Sequence, residues 1–190
     1  MMKTGESRMT KAKPHPKEFR IYKPNNKSSG AASKFQCKTK WKKIGDKEYP
    51  EMVLFLESAS QTGTDDNGNA SFGWSQQGKS DKSVTMKLGM PDIGEMLLVL
   101  TGKTKFVGPA PKSGRTVEPG LFHQNKNGNT SLRLKWSDGK LYLNLSSQDS
   151  NKNVVKVGHS ITSGEATVLA VLLESFVAQY HGWGHDLEIL

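Results

Sequence analysis

The stretch Thr130–Leu145, TSLRLKWSDGKLYLNL, decides how the chain folds. Leu132, Leu134 and Trp136 fall on one side of an alternating pattern, with Arg133 and Lys135 on the other. After Asp138-Gly139 the alternation resumes, with Leu141, Leu143 and Leu145 opposing Tyr142 and Asn144. A period of two is the signature of a half-buried strand, and Asp-Gly is a favoured hairpin pair. The pattern therefore predicts an antiparallel ribbon with one apolar face for a core. Its other face carries cations, a ring and an amide.

The rest of the chain sets the frame for that ribbon. It has 190 residues, 34% hydrophobic and 24% charged, which suits one folded domain of ordinary size. No apolar run reaches 18 residues, and the Lys-rich N-terminus lacks the apolar core of a signal peptide. One cysteine, Cys37, excludes an internal disulfide and suits a reducing compartment. The expected setting is intracellular, cytoplasm or nucleoid, or a host cytoplasm if the source is viral. The net charge of +9 is unevenly placed: residues 1–50 hold 14 Lys and Arg against four acids, and the remainder is close to neutral. Such asymmetry points to an anionic partner, nucleic acid before an acidic membrane.

Residues 1–18 lack periodicity and contain Pro14 and Pro16, so they read as a disordered basic arm. Strands are expected over 32–41, 51–61, 70–77 and 82–89, then a helix with Pro91 at its start and Gly102 at its stop. The order then repeats: a short strand over 120–125, the ribbon, a strand over 153–161, and a second helix. That helix opens with Thr162 and Glu165 at capping-box spacing, and Leu169, Leu172, Leu173, Phe176 and Tyr180 form its apolar stripe. Four strands and a helix, twice, make an α+β chain. A helix covering one face of each antiparallel sheet leaves the other face open.

The outward rows gather Lys34, Lys38, Lys40, Lys87, Arg133, Lys135 and Lys156, with Gln36, Tyr142, Asn144 and Ser146 among them. Trp74 either joins this row or turns into the core. Cations track phosphates, and exposed rings offer flat surfaces for unpaired bases at about 1–3 kcal/mol each. A duplex hides those base faces in its own stack, so such a sheet favours single strands. For any one lysine, solvation is the commoner role, and lysine on strands also guards against edge pairing. The combination is what points to nucleic acid.

Catalytic signatures are weaker. His123, His159, His181 and His185 are the candidate ligands or bases, and HGWGH spaces two of them four apart. Glycines at 182 and 184 argue against a helix that would hold them on one face, and no third ligand stands at zinc-site spacing. Neither a Gly-rich phosphate loop nor a nucleophile motif is present. Asp65 and Asp66 belong to a turn-rich loop, and Cys37, between Phe35 and Thr39, reads as buried and inert. The expectation is no enzyme, no metal and no cofactor.

SLRLKWSDGKLYLNLSSQDSNKNVVKVGHSITSGEATVLAVLLESFVAQYHGW resembles the C-terminal half of the Whirly family of single-stranded DNA-binding proteins. GWSQQGKSDKSVTMKLGMPDIGEMLLVL resembles that family's third strand, fourth strand and first helix, and KSSGAASKFQCKTKW its first strand. The resemblance covers about residues 19–183. It implies two ββββα repeats with roughly perpendicular antiparallel sheets and helices on one side. It also implies self-association as a dimer or tetramer through those helices, and roles in transcription regulation, replication, recombination or repair. The related positive-cofactor transcriptional coactivators share a Lys-rich N-terminal region and the sheet-based mode of strand binding. KSSGAAS departs from the tighter basic motif of plant members, and an organelle-targeting segment is not apparent.

The expected organisation is an arm (1–18), repeat one (19–102), repeat two (103–183) and a tail (184–190). The expected DNA-binding residues are Lys34, Gln36, Lys38, Lys40, Trp74, Lys87, Arg133, Lys135, Tyr142, Asn144 and Lys156. Two alternatives compete. One is an RNA-binding module on the same scaffold, since stacking and phosphate contacts ignore the 2′-OH. The other is a protein-interaction adaptor, for transcription or replication proteins, docking through the basic arm and the DLEIL tail.

Overall fold

The computed structural model describes residues 18–75, 81–109, 118–126 and 128–183. Their elements are β1 (Glu18–Lys23), β2 (Ala31–Ile44), β3 (Lys47–Thr64), β4 (Ala70–Phe72), β5 (Ser83–Leu88), α1 (Met90–Leu100), β6 (Leu121–Asn125), β7 (Gly128–Ser137), β8 (Lys140–Asp149), β9 (Val154–Ile161) and α2 (Ser163–Tyr180). The first sheet runs β1-β2-β3, with both β4 and β5 pairing β3, and the second runs β6-β7-β8-β9. Every pairing is antiparallel.

The two halves share one topology. β1-β2-β3-β5 followed by α1 matches β6-β7-β8-β9 followed by α2, which is the expected α+β pair of ββββα repeats. Four details differ from expectation. The first strand is β1, which the sequence reading passed over because Ile21 is its one fully buried side chain. The strand expected over 70–77 is the three-residue β4, a short addition beside the end of β3. The strands expected over 32–41 and 51–61 extend into one long hairpin closed by Gly45-Asp46. Glu18, placed with the arm in the sequence reading, is the first residue of β1. Residues 1–17 and the tail at 184–190 lie outside the described residues.

Alternation places the core. In the second sheet Leu132, Leu134, Leu141, Leu143 and Leu145 are completely buried. In the first, Ile21, Phe35, Leu56, Val84 and Met86 take the equivalent inner face. Both helices close over these faces: α1 buries Ile93, Met96 and Val99, and α2 buries Leu169, Leu173 and Phe176. All of these side chains form one hydrophobic cluster, so the repeats share a core. Burial of each large side chain stabilises by roughly 1.5–3 kcal/mol. Leu172 and Tyr180, expected in the buried stripe of α2, are each 42% exposed, because a helix on a sheet presents only a narrow stripe to it. Cys37 is half-buried rather than buried, lying at the rim where the core ends.

The helix starts are built as the sequence reads. In α2, the Thr162 hydroxyl accepts from the Glu165 amide at 3.2 Å, and the Glu165 carboxylate accepts from the Thr162 amide at 2.8 Å. Lys23 of β1 donates to both oxygens of Glu165, at 2.8 and 2.7 Å, tying the first strand to the last helix. Burial alone would raise the Glu165 pKa; the Lys23 and Thr162 hydrogen bonds outweigh it and hold the carboxyl below its usual range. Gly102 ends α1 at φ +74°, in the left-handed region that favours glycine.

Three connections use one device. Asn25, Asp65 and Asp149 each accept, through Oδ1, the amides of the residues two and four positions on. In each, the residue three positions on is left-handed: Ser28, Gly68 and Lys152. Asp65 and Asp149 also accept the side-chain amides of Asn69 and Asn153, which hold both carboxyls below their ordinary pKa.

Candidate nucleic-acid interface

Register decides which side chains stand together on the open faces. In the second sheet, Lys135 lies opposite Tyr142 and Arg133 opposite Asn144, and Asn144 in turn lies opposite Gly158. The next row along runs Phe122, Ser131, Ser146, Lys156. Odd residues of β6 and even residues of β7 fill the core side, so all of these face away from it. Phe122 is 63% exposed, a large ring displayed among hydroxyls and cations. Ser131 and Ser146 hydrogen-bond each other at 2.8 Å and leave the floor beside it flat. Gly158 has a definite role: a Cβ there would sit 2.1 Å from Asn144 Oδ1, so its absence lets the amide lie across β9.

The two expected phosphate contacts of β7 already hold a carboxylate. Arg133 donates to Glu118 at 3.0 Å and Lys135 donates to its other oxygen at 2.9 Å. Lys135 first, then Arg133 and Lys156, hold the Glu118 carboxyl below its usual range. All three groups are well exposed, so the pairs are weak and exchangeable. An anion with more charge than Glu118 can take its place.

The first sheet is dressed differently. Its central outer row is Gln36, Phe55, Lys87, and the next is Lys34, Glu57, Thr85. Lys34 is largely buried, pairs with Glu57 at 2.9 Å, and lies 4.9 Å from the centroid of the Trp74 ring. The other Glu57 oxygen accepts the Ser75 amide at 2.7 Å, which fixes the segment bearing Trp74 on the open face. Trp74 therefore joins the outer row, in a ring cluster where Phe72 lies 6.2 Å from Trp74 and 5.5 Å from Tyr22 between centroids. The Lys34 charge is matched within the protein, so its position favours holding Glu57 and Trp74 in place. Lys38 and Lys40 lie over the Phe55 ring, 5.5 and 5.0 Å from its centroid. A hollow of about 280 Å³ opens between Phe55, Gln36, Lys38 and Thr85.

Five neighbours of this interface escaped the sequence reading: Tyr22, Phe55, Phe72, Phe122 and Glu118. Phe122 follows Leu121 directly, so composition does not say which of the two faces out; pairing of Leu121 with the buried Leu132 does. Glu118 is 15 and 17 residues from its partners and carries no local pattern.

Two of the histidines, His123 and His159, serve structure. His123 pairs with Asp92 at 3.0 Å, linking β6 to the start of α1. His159 lies where the two sheets meet. Its Nδ1 is 3.0 Å from the Ser160 carbonyl, which can only accept, so Nε2 accepts from the Ser33 hydroxyl at 2.7 Å. Ser33 in turn lies 2.7 Å from Ser58. Burial lowers the His159 pKa, and the ring is neutral at neutral pH. Among the described residues no group of three His, Cys, Asp or Glu could hold a metal ion, and His185 lies outside them. Among them also, no helix is long and apolar enough to cross a membrane.

Two solved structures share this architecture over most of their length. WHY3 from Arabidopsis thaliana matches with a TM-score of 0.61 at 18% identity, over 87% of this chain and 89% of that one. WHY1 from the same plant matches with a TM-score of 0.58 at 17% identity, over 93% of this chain and 96% of that one. The fold is the Whirly fold. No family model matches the chain, and no curated protein matches it. Within the Whirly frame, Arg133, Lys135, Tyr142, Asn144 and Lys156 share the second open face, and Gln36, Lys38, Lys40, Lys87 and Trp74 share the first.

Proposed function

We propose that this protein binds single-stranded DNA, without catalysis and with weak sequence selectivity, on the open faces of its two sheets. The observation that supports this reading best is the second face: Phe122 and Tyr142 stand among Arg133, Lys135, Lys156 and Asn144, with every leucine turned to the other side. Cations meet phosphates, while rings meet bases that only an unpaired strand exposes. The Whirly fold supports the same reading, and with it service in transcription, replication, recombination or repair. Self-association fits the exposed apolar residues Val168, Val171 and Leu172 along α2. A dimer or tetramer through that helix would cover them.

A mobility shift with single- and double-stranded forms of one oligonucleotide, across a salt series, tests the reading. Preference for the single strand is expected, with log affinity falling by roughly 0.7 per phosphate neutralised for each unit of log salt. Replacing Arg133 and Lys135 together with Ala should flatten that slope; an unchanged slope removes this face from the site. Competition by a matched RNA oligomer at equal affinity would favour the RNA-binding alternative.

A further inference from the structure

The β2–β3 hairpin outruns its sheet. β1 pairs β2 no further than Gln36, and β5 pairs β3 no further than Leu54. Seven cross-strand pairs, from Lys38–Val53 to Ile44–Lys47, therefore continue with no further strand beside them among the described residues, although at their base Val53 is buried and Met52 packs against the core. At about 3.3 Å per residue the free ribbon is roughly 23 Å long. An isolated two-stranded hairpin of that length gains little from folding. Its two faces are chemically distinct. One continues the open face of the first sheet, with Lys38, Lys40, Lys42, Tyr49 and Lys47 around one acid, Glu51. The other carries Trp41 and Lys43, with Glu48 opposite Lys43. Trp41 is 66% exposed, Ile44 59% and Tyr49 46%.

A single strand lying on the sheet gives the far face of this ribbon nothing to meet. A duplex does. Its major groove admits a two-stranded ribbon, whose opposite faces then approach phosphates on both walls. Where a duplex gives way to a single strand, its last base pair also shows a flat face on which an aromatic ring can stack. We propose that the β2–β3 arm is a second nucleic-acid site that takes the duplex side of a single-strand/double-strand junction. Lys42, Lys43 and Lys47 meet duplex phosphates, and Trp41, on the far face, meets the terminal pair. The proposal rests on the single-strand reading of the sheet faces and adds a substrate class to it.

The test compares three DNAs: a single strand, a blunt duplex, and a duplex carrying that single strand as a tail. The intact chain should bind the tailed duplex about tenfold or more tighter than the strand alone, through about three added phosphate contacts. K42A/K43A/K47A should abolish that gain and lower the salt slope for the tailed duplex by about 2 to 3, at about 0.9 per duplex phosphate, while single-strand affinity holds. W41A should reduce the gain without changing the slope. Equal losses on the strand and the tailed duplex would make the arm an extension of the single-strand site and overturn the proposal. Unchanged binding by both variants would overturn it too, as would a shift in sedimentation of W41A, which makes the arm an interface between copies. If the intact chain ignores the single strand but binds the tailed duplex through these lysines, the sheet reading fails and the arm stands.

Discussion

The two repeats have the same topology and end their central hairpins differently. In repeat two, β9 accompanies β8 as far as Leu141, and the backbone of Lys105 accepts from Trp136 on the opposite edge. Only the pair Ser137–Lys140 stands beyond those neighbours. In repeat one, seven pairs do so. Every leucine of the second hairpin is buried, whereas every residue from Lys38 to Pro50 in the first is exposed. Within one repeated topology, one hairpin thus closes a core and the other runs out into solvent. The lesson is that similar alternation makes a buried ribbon where strands flank both edges and an exposed one where they stop.

The sharpest way to test that contrast is to damage each hairpin. Leu143→Ala, in the fully buried row, should cost roughly 2–5 kcal/mol in a urea melt. Shortening the arm by removing residues 40–51 and closing it with a two-residue turn should leave the urea midpoint nearly unchanged. A large loss from the shortened arm would show that it packs. Next in size, Phe122→Ala should weaken single-strand binding by about 1–3 kcal/mol with no change in stability or salt slope. A fall in stability instead would return that ring to the scaffold.

The seam between the repeats carries a pH dependence. The folded His159 pKa lies below the ordinary value of 6.5, so the unfolded chain takes up that proton first. The contribution is complete above the unfolded value and is lost as pH falls through that window. Lys23 opposes the imidazolium and Glu165 favours it, with burial the larger effect. His159→Gln should flatten the loss of urea midpoint between about pH 7.5 and about pH 5.5; an unaltered profile would place the titration elsewhere.

The smallest effects compare matched surface positions. Lys152 is left-handed at φ 67° where the corresponding loop of repeat one has Gly68. Lys152→Gly should stabilise by roughly 0.5–1 kcal/mol in thermal melts, since glycine removes the Cβ strain. Glu118→Gln should tighten single-strand binding by roughly two- to fivefold at low salt, with the difference vanishing as salt screens the pairs it breaks. No gain would mean that Glu118 does not compete with phosphate.

Much of this was legible in the sequence, and the remainder fails for identifiable reasons. Leu132 to Leu145 announce a two-sided ribbon because alternation is local and repeated. The capping box at Thr162 is likewise spelled within four residues. β1 is not legible: six residues with one fully buried side chain give too few periods to separate a strand from the arm before it. The lysines of the open faces follow from alternation, but Lys34 turns out to be paired because Glu57 becomes its neighbour only through register. Phe122 needed the same information. Site residues set by one strand were readable, and those set by two were not.

The shared core also has a geometric consequence for what the molecule can measure. Trp136 of repeat two donates its indole proton at 2.8 Å to the carbonyl of Val99, in the helix of repeat one, and His159 of β9 reaches Ser33 of β2. Neither half owns a closed interior, because both contribute to one hydrophobic cluster. Packing across the seam therefore sets the spacing of the two open faces. If the proposed reading holds, that spacing sets the length of strand the chain spans, and enlarging Ser33 or Ser58 at the seam should change it.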